Sequence, residues 1–168
     1  PSLKFPALLE VRDPALAANL TITIDPDGIV VAGDVTITAS GAALFPNTDT
    51  PELDGVVTAQ DLRGNIVLDT GAFKLSARTM TANLGDALQV SATGTVDEPG
   101  ISISIDPNDT DSNATIATLH NLQLDVPAFS DWPSDLTTID SLTIRRNGFD
   151  LTKTFGQPVP LDLRLGGD

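Results

Sequence analysis

Cysteine is absent from the 168 residues of this sequence. A disulfide framework, a thiolate nucleophile and a cysteine-ligated zinc site are therefore excluded. Aromatic residues are also scarce, with six Phe, one Trp and no Tyr. We therefore expect a core built from Val, Ile, Leu and Ala.

Basic residues are the next shortage. Nine Lys and Arg stand against 23 acidic residues, which gives a net charge of −14. Nucleic acids and anionic membrane surfaces both need a basic footprint, so neither is an expected partner. The acids are 20 Asp and only three Glu. Asp favours turns and Glu favours helices, so this imbalance indicates a protein with many turns.

Long hydrophobic runs are missing as well. No stretch approaches the roughly 18 apolar residues that a membrane-spanning helix needs. The sequence starts with Pro, and it shows no signal peptide. We expect a segment of a larger protein, located outside the cell or at the cell surface.

Alternation of apolar and polar residues is what the chain has in abundance. This period of two is the mark of strands with one buried face. Turn sequences separate the runs, at a spacing typical of antiparallel sheets. The pattern predicts an all-β fold, an antiparallel sandwich or an extended β-meander, of roughly twelve to fifteen short strands. The clearest runs are Leu20–Ile24, Val35–Thr38, Leu88–Ala92, Ile101–Ile105, Leu122–Val126, Leu142–Ile144 and Leu161–Leu165.

Three local signals refine this prediction. Asn147-Gly148 is a two-residue hairpin turn that should join Leu142–Arg146 to Phe149–Lys153. Asp13-Pro14 before Ala15–Ala18 resembles a helix N-cap with Pro at the first helical position, so we expect one short helical turn near residues 13–19. The stretch Ser112–Leu119 fits a strand or a short helix.

The domain organisation is predicted as a single β-rich module spanning residues 1–168. Leu20–Asp27 and Ile101–Asn108 share a strand-plus-turn pattern. This echo keeps open a duplication into two similar halves, roughly residues 1–84 and 85–168.

An acidic loop is the most suggestive candidate site. Ca²⁺ takes about six to eight oxygen ligands, which alternating Asp and Asn side chains can supply. Two departures argue against an EF-hand: Ala114 stands where Gly is needed, and His120 stands where a bidentate Glu is needed. The candidate ligands are Asp106, Asn108, Asp109, Asp111 and Asn113, with Ca²⁺ as the candidate cofactor and a solvated turn as the alternative reading.

Catalytic machinery is not recognisable. His120 is the single histidine and hence the single candidate base for Ser–His chemistry, but no Gly-x-Ser-x-Gly elbow accompanies it. Trp132 is the single candidate sugar platform, and it fits a loop plug better. We therefore predict no catalytic residues.

Three functions remain open. The first is a non-catalytic structural or interaction module of an extracellular, cell-surface or particle-associated protein, with other protein domains or its own copies as partners. The second is a carrier of a lipid or other apolar ligand in a β-lined groove. The third and weakest is an acid-dependent hydrolase that uses paired Asp residues.

Overall fold

The computed structural model describes residues 2–5, 8–47, 53–126, 137–155 and 159–166. Thirteen strands and one short 3₁₀ turn (Gly85–Ala87) account for most of this chain. The strands are β1 (Ser2–Phe5), β2 (Leu9–Arg12), β3 (Ala15–Asp25), β4 (Gly28–Pro46), β5 (Gly55–Val67), β6 (Ala72–Ala77), β7 (Thr79–Asn83), β8 (Gln89–Thr93), β9 (Ile101–Ile105), β10 (Thr115–Asp125), β11 (Thr138–Arg145), β12 (Gly148–Phe155) and β13 (Val159–Gly166).

All thirteen strands belong to one antiparallel sheet, so the all-β prediction is confirmed. The main path runs β1-β2-β4-β5-β6-β9-β10-β11-β12-β13. Within the described ranges no second sheet packs on this one, which favours the meander over the sandwich. The sheet crosses the midpoint of the chain without a break, because β7 pairs with β8.

Strands β2 and β3 lie end to end along β4, and the same arrangement recurs further into the sheet. β7 and β6 share the other edge of β5, and β8 and β9 share one edge of β10. In the middle of the sheet, each of the long strands β4, β5 and β10 is therefore flanked by two shorter strands placed end to end.

The predicted helical turn at residues 13–19 is wrong. Ala15 begins β3, which pairs with β4 over its whole length. Asp13 does not cap a helix, because its carboxylate accepts a hydrogen bond from the Ser40 hydroxyl at 2.9 Å. Pairing with β4 supplies more hydrogen bonds than one helical turn could, and it outweighs the local preference of Ala and Asp-Pro.

The predicted hairpin between these two strands is confirmed, but its turn residues are wrong by one position: Arg145 lies opposite Gly148 in the β11–β12 ladder, so the two turn residues are Arg146 and Asn147 rather than Asn147 and Gly148. The ambiguous stretch at 112–119 becomes a strand from Thr115 onward. The two segments that share a sequence pattern, β3 and β9, differ in their pairing. Both edges of β9 are paired, one with β6 and one with β10, whereas β3 pairs with β4 alone among the described strands. Nothing in these pairings tests whether the chain is one module or a duplication into two similar halves.

A transverse line, which we call the crease, crosses the sheet where the end-to-end strands meet. It passes through Asp13, Ser40, Asp61, Arg78 and Asn121, which the strand registers bring side by side. Three of the five have left-handed backbone conformations: φ is 47° at Asp13, 52° at Asp61 and 46° at Asn121. Asp and Asn are the non-glycine residues that tolerate this region best.

Hydrogen bonds hold the crease together. Arg78 donates from its side chain to Asp61, and its carbonyl accepts from Gly94 at 2.8 Å and Gly100 at 3.1 Å. The Asn121 amide donates to the Thr93 carbonyl at 2.9 Å. These bonds satisfy main-chain groups that the interrupted ladders would otherwise leave unpaired.

The crease shifts the alternation of each long strand by one residue. Residues directly opposite in an antiparallel ladder share a face, so the registers show which side chains lie together. On β5 the apolar residues are Val57 and Ala59 before the crease, and Leu62 and Ile66 after it. A one-residue slip normally sends the apolar set to the other face. On β5 the left-handed residue Asp61 takes up the extra residue. The apolar side chains therefore stay on one face along the whole strand.

The result is a sheet with two unlike faces. We call one the apolar face, and the other carries mainly Thr, Ser, Asn and Gln. The apolar face before the crease includes Leu9, Val11, Ala42, Leu44, Val57, Ala59, Met80, Ala82, Val90, Ala92, Leu122 and Leu124, and after it Leu16, Leu20, Ile22, Ile24, Val35, Ile37, Leu62, Ile66, Phe73, Leu75, Ala77, Ile101, Ile103, Leu119, Leu142, Ile144, Phe149 and Leu151.

Candidate apolar binding groove

A groove of about 300 Å³ lies on the apolar face at the crease. Six strands contribute to its walls, so it belongs to the sheet rather than to a loop. Its volume is at the lower end of the roughly 300–1,000 Å³ typical of small-molecule sites. The lining residues are Leu9, Ala42, Leu44, Val57, Ala59, Leu62, Leu75, Ser76, Ala77, Met80, Ile101 and Ile103.

Small residues form the floor of the groove. Ala42 lies opposite Ala59, and Ala77 lies opposite Ile101. Side chains of one carbon leave space above the sheet that Leu or Ile would fill. Leu44 stands at the wall and remains 42% exposed, whereas Ala77 is only 2% exposed. This difference in height makes a trough out of an otherwise flat sheet face.

The chemistry of the groove is almost wholly aliphatic. Among the residues that the structure describes, no ionisable side chain lines it, and Ser76 is its single polar residue. The buried charged residues of the described chain lie elsewhere: Glu10 accepts from Arg12 at 3.0 Å, and Lys153 donates to the Thr138 hydroxyl at 2.7 Å. The groove therefore offers dispersion and hydrophobic contact, without a polar group to fix a ligand's orientation.

The apolar face continues beyond the groove onto a region that no described residue covers. We call it the ribbon: β3 together with the first part of β4, residues 28–38. Its apolar side chains are strongly exposed, with Ile24 at 76%, Leu16 at 69% and Ile29 at 68%. Contiguous exposed apolar surface of this kind marks interaction sites in soluble proteins.

The predicted calcium ligands lie in the loop between β9 and β10, where they bond to the loop itself. Three Asx turns follow one another: Asn108 N–H donates to Asp106 Oδ1, Asp111 N–H to Asp109 Oδ1 and Asn113 N–H to Asp111 Oδ1, each at 2.9 Å. These bonds give the acids a turn-forming role. Among the described residues no group of three or more His, Cys, Asp or Glu side chains gathers as a metal site would. Ca²⁺ binding at this loop stays a prediction.

His120 lies on β10 opposite Ser141, and its backbone N–H donates to the Gly100 carbonyl at 2.9 Å. It is thus placed as an ordinary strand residue next to the crease. Trp132 lies outside the described residues. The sequence therefore directed attention to a loop and a lone histidine, and although it kept an apolar groove open as a class of site, it identified none of the residues that line this one.

A second cleft, of about 570 Å³, lies at the crease and is lined mainly by polar side chains. Asp13 and Asp61 both line it, so it is one of the places where two carboxylates share a cleft, as a hydrolase would require. Both are already engaged, Asp13 by the Ser40 hydroxyl and Asp61 by Arg78. Asp61 is 49% exposed, so water screens it and no low-dielectric site is formed.

One signal in the sequence could have located the crease. The apolar positions jump from odd to even numbers along three long strands: Ala39 to Ala42 on β4, Ala59 to Leu62 on β5, and Leu119 to Leu122 on β10. A shared jump of this kind indicates a shared interruption, but only the strand registers show that the three jumps lie side by side.

No helix in the described part of the chain is both long and apolar enough to cross a membrane. No protein-family model, curated protein or solved structure matches this sequence.

Proposed function

We propose that this chain is a non-catalytic binding module whose groove holds the apolar chain of a lipid or a similar aliphatic ligand. The observation that carries the proposal is the lining of the groove by described residues, which is apolar apart from Ser76 and leaves Leu44 at the wall 42% exposed. A sheet face that only completed a core would be covered along its whole length, whereas this face leaves Leu16, Ile24 and Ile29 of the ribbon more than half exposed.

The chemistry of the lining selects the ligand class. A ligand with a charged or hydrogen-bonding body would lose its water in the groove and find no partner there, which costs free energy. An alkyl chain has no hydrogen bonds to water to lose, and its binding is stabilised by about 0.8 kcal/mol for each methylene removed from water. Part of that gain offsets the entropy of association, so binding of moderate strength is expected.

The test is a titration with a fluorescent polyene fatty acid, whose emission rises when its chain leaves water. Ala59→Phe should fill the floor of the groove and weaken binding at least tenfold. Gln60→Phe is the matched control: the neighbouring residue is exposed and belongs to the opposite face of the same strand, so its substitution should leave binding unchanged. Equal binding by both variants, or no saturable binding by the parent chain, would refute the proposal.

Native mass spectrometry of the purified protein supplies an independent readout. We expect a mass excess that disappears after extraction with organic solvent. A protein that carries no apolar molecule and also ignores the probe is not a carrier.

A structural or interaction module is the second candidate, and the ribbon favours it. Its exposed side chains extend along β3 and β4 as far as Ile24 and Ile29, at the end of the ribbon away from the crease. A second layer of protein could cover this surface, as one sheet covers another in sandwiches. In that case the polyene fatty acid should not bind, and a protein partner should protect the ribbon. An extracellular or cell-surface location remains a proposal that rests on composition alone.

A further inference from the structure

The outer edge of β3 is the longest strand edge in the described chain that lacks a neighbour. β3 has eleven residues, and it pairs with β4 and with no other described strand. A free edge presents a row of unpaired N–H and C=O groups, which proteins usually protect with charged residues, proline or bulges. Between Pro14 and Asp25 this strand has no charge and no proline.

The direction in which the N–H and C=O groups of β3 point follows from the residue on β4 that lies opposite the centre of β3. Gly33 lies opposite Leu20. The N–H of Gly33 donates to Asp69 Oδ1, and its C=O accepts from Leu68 N–H, both at 2.8 Å, so both groups turn away from β3. Opposite residues in an antiparallel ladder exchange both hydrogen bonds or neither. The N–H and C=O of Leu20 therefore point to the outer edge.

The same direction repeats at every second residue of β3. It applies to Leu16, Ala18, Leu20, Ile22 and Ile24. These are also the residues of β3 on the apolar face, so the free edge and the exposed apolar side chains belong to the same set.

We propose that β3 pairs antiparallel with β3 of a second copy of this chain, about a twofold axis at Leu20. This register pairs all eleven residues. It sets Leu20 against the second copy's Leu20, Ala18 against its Ile22 and Leu16 against its Ile24. The outward groups of the two strands then form about ten hydrogen bonds. No other register uses the full strand.

The side chains and charges agree with this register. A twofold axis normal to the sheet keeps apolar residues on one face, and it brings Asn19 against the second copy's Thr21 on the other. Asp25 of each copy lies opposite Ala15, so no two acids face each other within the paired segment. In a protein of net charge −14, the ten residues from Ala15 to Ile24 bring no charge to this interface, and Asp13 and Asp27 lie outside it. The pairing joins two apolar faces into one, and it does not depend on whether the groove holds a ligand.

The experiment measures the mass of the intact chain by sedimentation over a range of concentrations. We expect the 17.5 kDa chain to associate into a species of twice that mass. Leu20→Lys places two ammonium groups next to the axis and should raise the dimer dissociation constant at least tenfold. Val31→Lys is the matched control: Val31 lies on the neighbouring strand and the same face, is similarly exposed, and is separated from the outer edge of β3 by β3 itself. It should leave the dissociation constant within threefold of the parent value.

Two results would overturn the proposal. A parent chain that stays monomeric up to millimolar concentration does not pair through β3. Equal loss of the dimer in both variants would mean that the copies stack through their apolar faces instead of joining edges. Circular dichroism of each variant confirms that the comparison is made between folded proteins.

Discussion

Gly94 allows the sharpest test of the crease, because its surroundings leave no room for a side chain. A Cβ built on Gly94 would lie 2.1 Å from the Glu98 carbonyl oxygen, 2.3 Å from the Gly100 nitrogen and 2.5 Å from the Pro99 carbonyl carbon. All three are main-chain atoms and cannot rotate away. Gly94→Ala must therefore open the turn that leads from β8 to β9.

The cost follows from the hydrogen bonds in that turn. Opening it threatens three bonds: Gly94 N–H to the Arg78 carbonyl at 2.8 Å, Thr95 N–H to the Glu98 carbonyl at 2.7 Å, and Glu98 N–H to the Thr95 hydroxyl at 3.0 Å. Each is worth about 1 kcal/mol net, and residual overpacking adds a comparable amount. We expect the free energy of unfolding to fall by about 2–4 kcal/mol.

The assay is urea unfolding followed by far-ultraviolet circular dichroism. With a slope of about 2 kcal/mol per molar urea, in the middle of the usual range, the midpoint should fall by roughly 1–2 M. Gly64→Ala is the control. The nearest atom to a Cβ there is Leu75 Cδ1 at 3.7 Å, an ordinary contact on the apolar face. Since Gly is unfavourable in strands by about 0.5–1 kcal/mol relative to Ala, this control should leave the midpoint unchanged or raise it. If Gly94→Ala unfolds at the same urea concentration as the parent, the crease is not the constraint described above.

Two further predictions concern the loop between β9 and β10. If that loop binds Ca²⁺, the melting temperature should rise by several degrees between EDTA and millimolar Ca²⁺, and Asp109→Ala/Asp111→Ala should abolish the rise; an unchanged melt would leave the acids as turn formers. Arg145 donates to Asp150 at 2.7 Å and to the Asn113 carbonyl at 3.2 Å, tying this loop to the β11–β12 hairpin. Because the pair is partly exposed, Arg145→Ala should lower the free energy of unfolding by only about 1–2 kcal/mol, and a urea midpoint equal to the parent's would contradict this account.

Short-range patterns proved reliable where the chain decides its structure locally. Asn147-Gly148 correctly predicted a hairpin between β11 and β12, although the turn itself is formed by Arg146 and Asn147, because Gly148 pairs with Arg145. The same kind of reasoning failed at Asp13-Pro14, where the carboxylate of Asp13 bonds to Ser40, which is distant in the sequence. A cap signal does not reveal that a long strand stands ready to pair with the residues that follow.

The candidate site was harder to foresee than the fold. An acidic loop attracts attention because its residue types are unusual, whereas Ala42, Ala59 and Ala77 are unremarkable in a sequence. Their meaning depends on their being neighbours on one face, and that depends on the register between strands. The groove could be expected as a class of site, but its residues could not be named.

Period-two alternation was enough to determine the all-β class and the presence of one apolar face, because the alternation of side chains along a strand is a local geometric property. The odd-to-even jumps at Ser40, Asp61 and Asn121 were already written in the chain. Tertiary structure alone decided that these jumps form one crease, that small residues come together in the floor of the groove, and that β3 lies at an edge of the described sheet. Hydrogen bonding between strands is non-local, so each strand's own pattern leaves open which strand lies beside it and in which register.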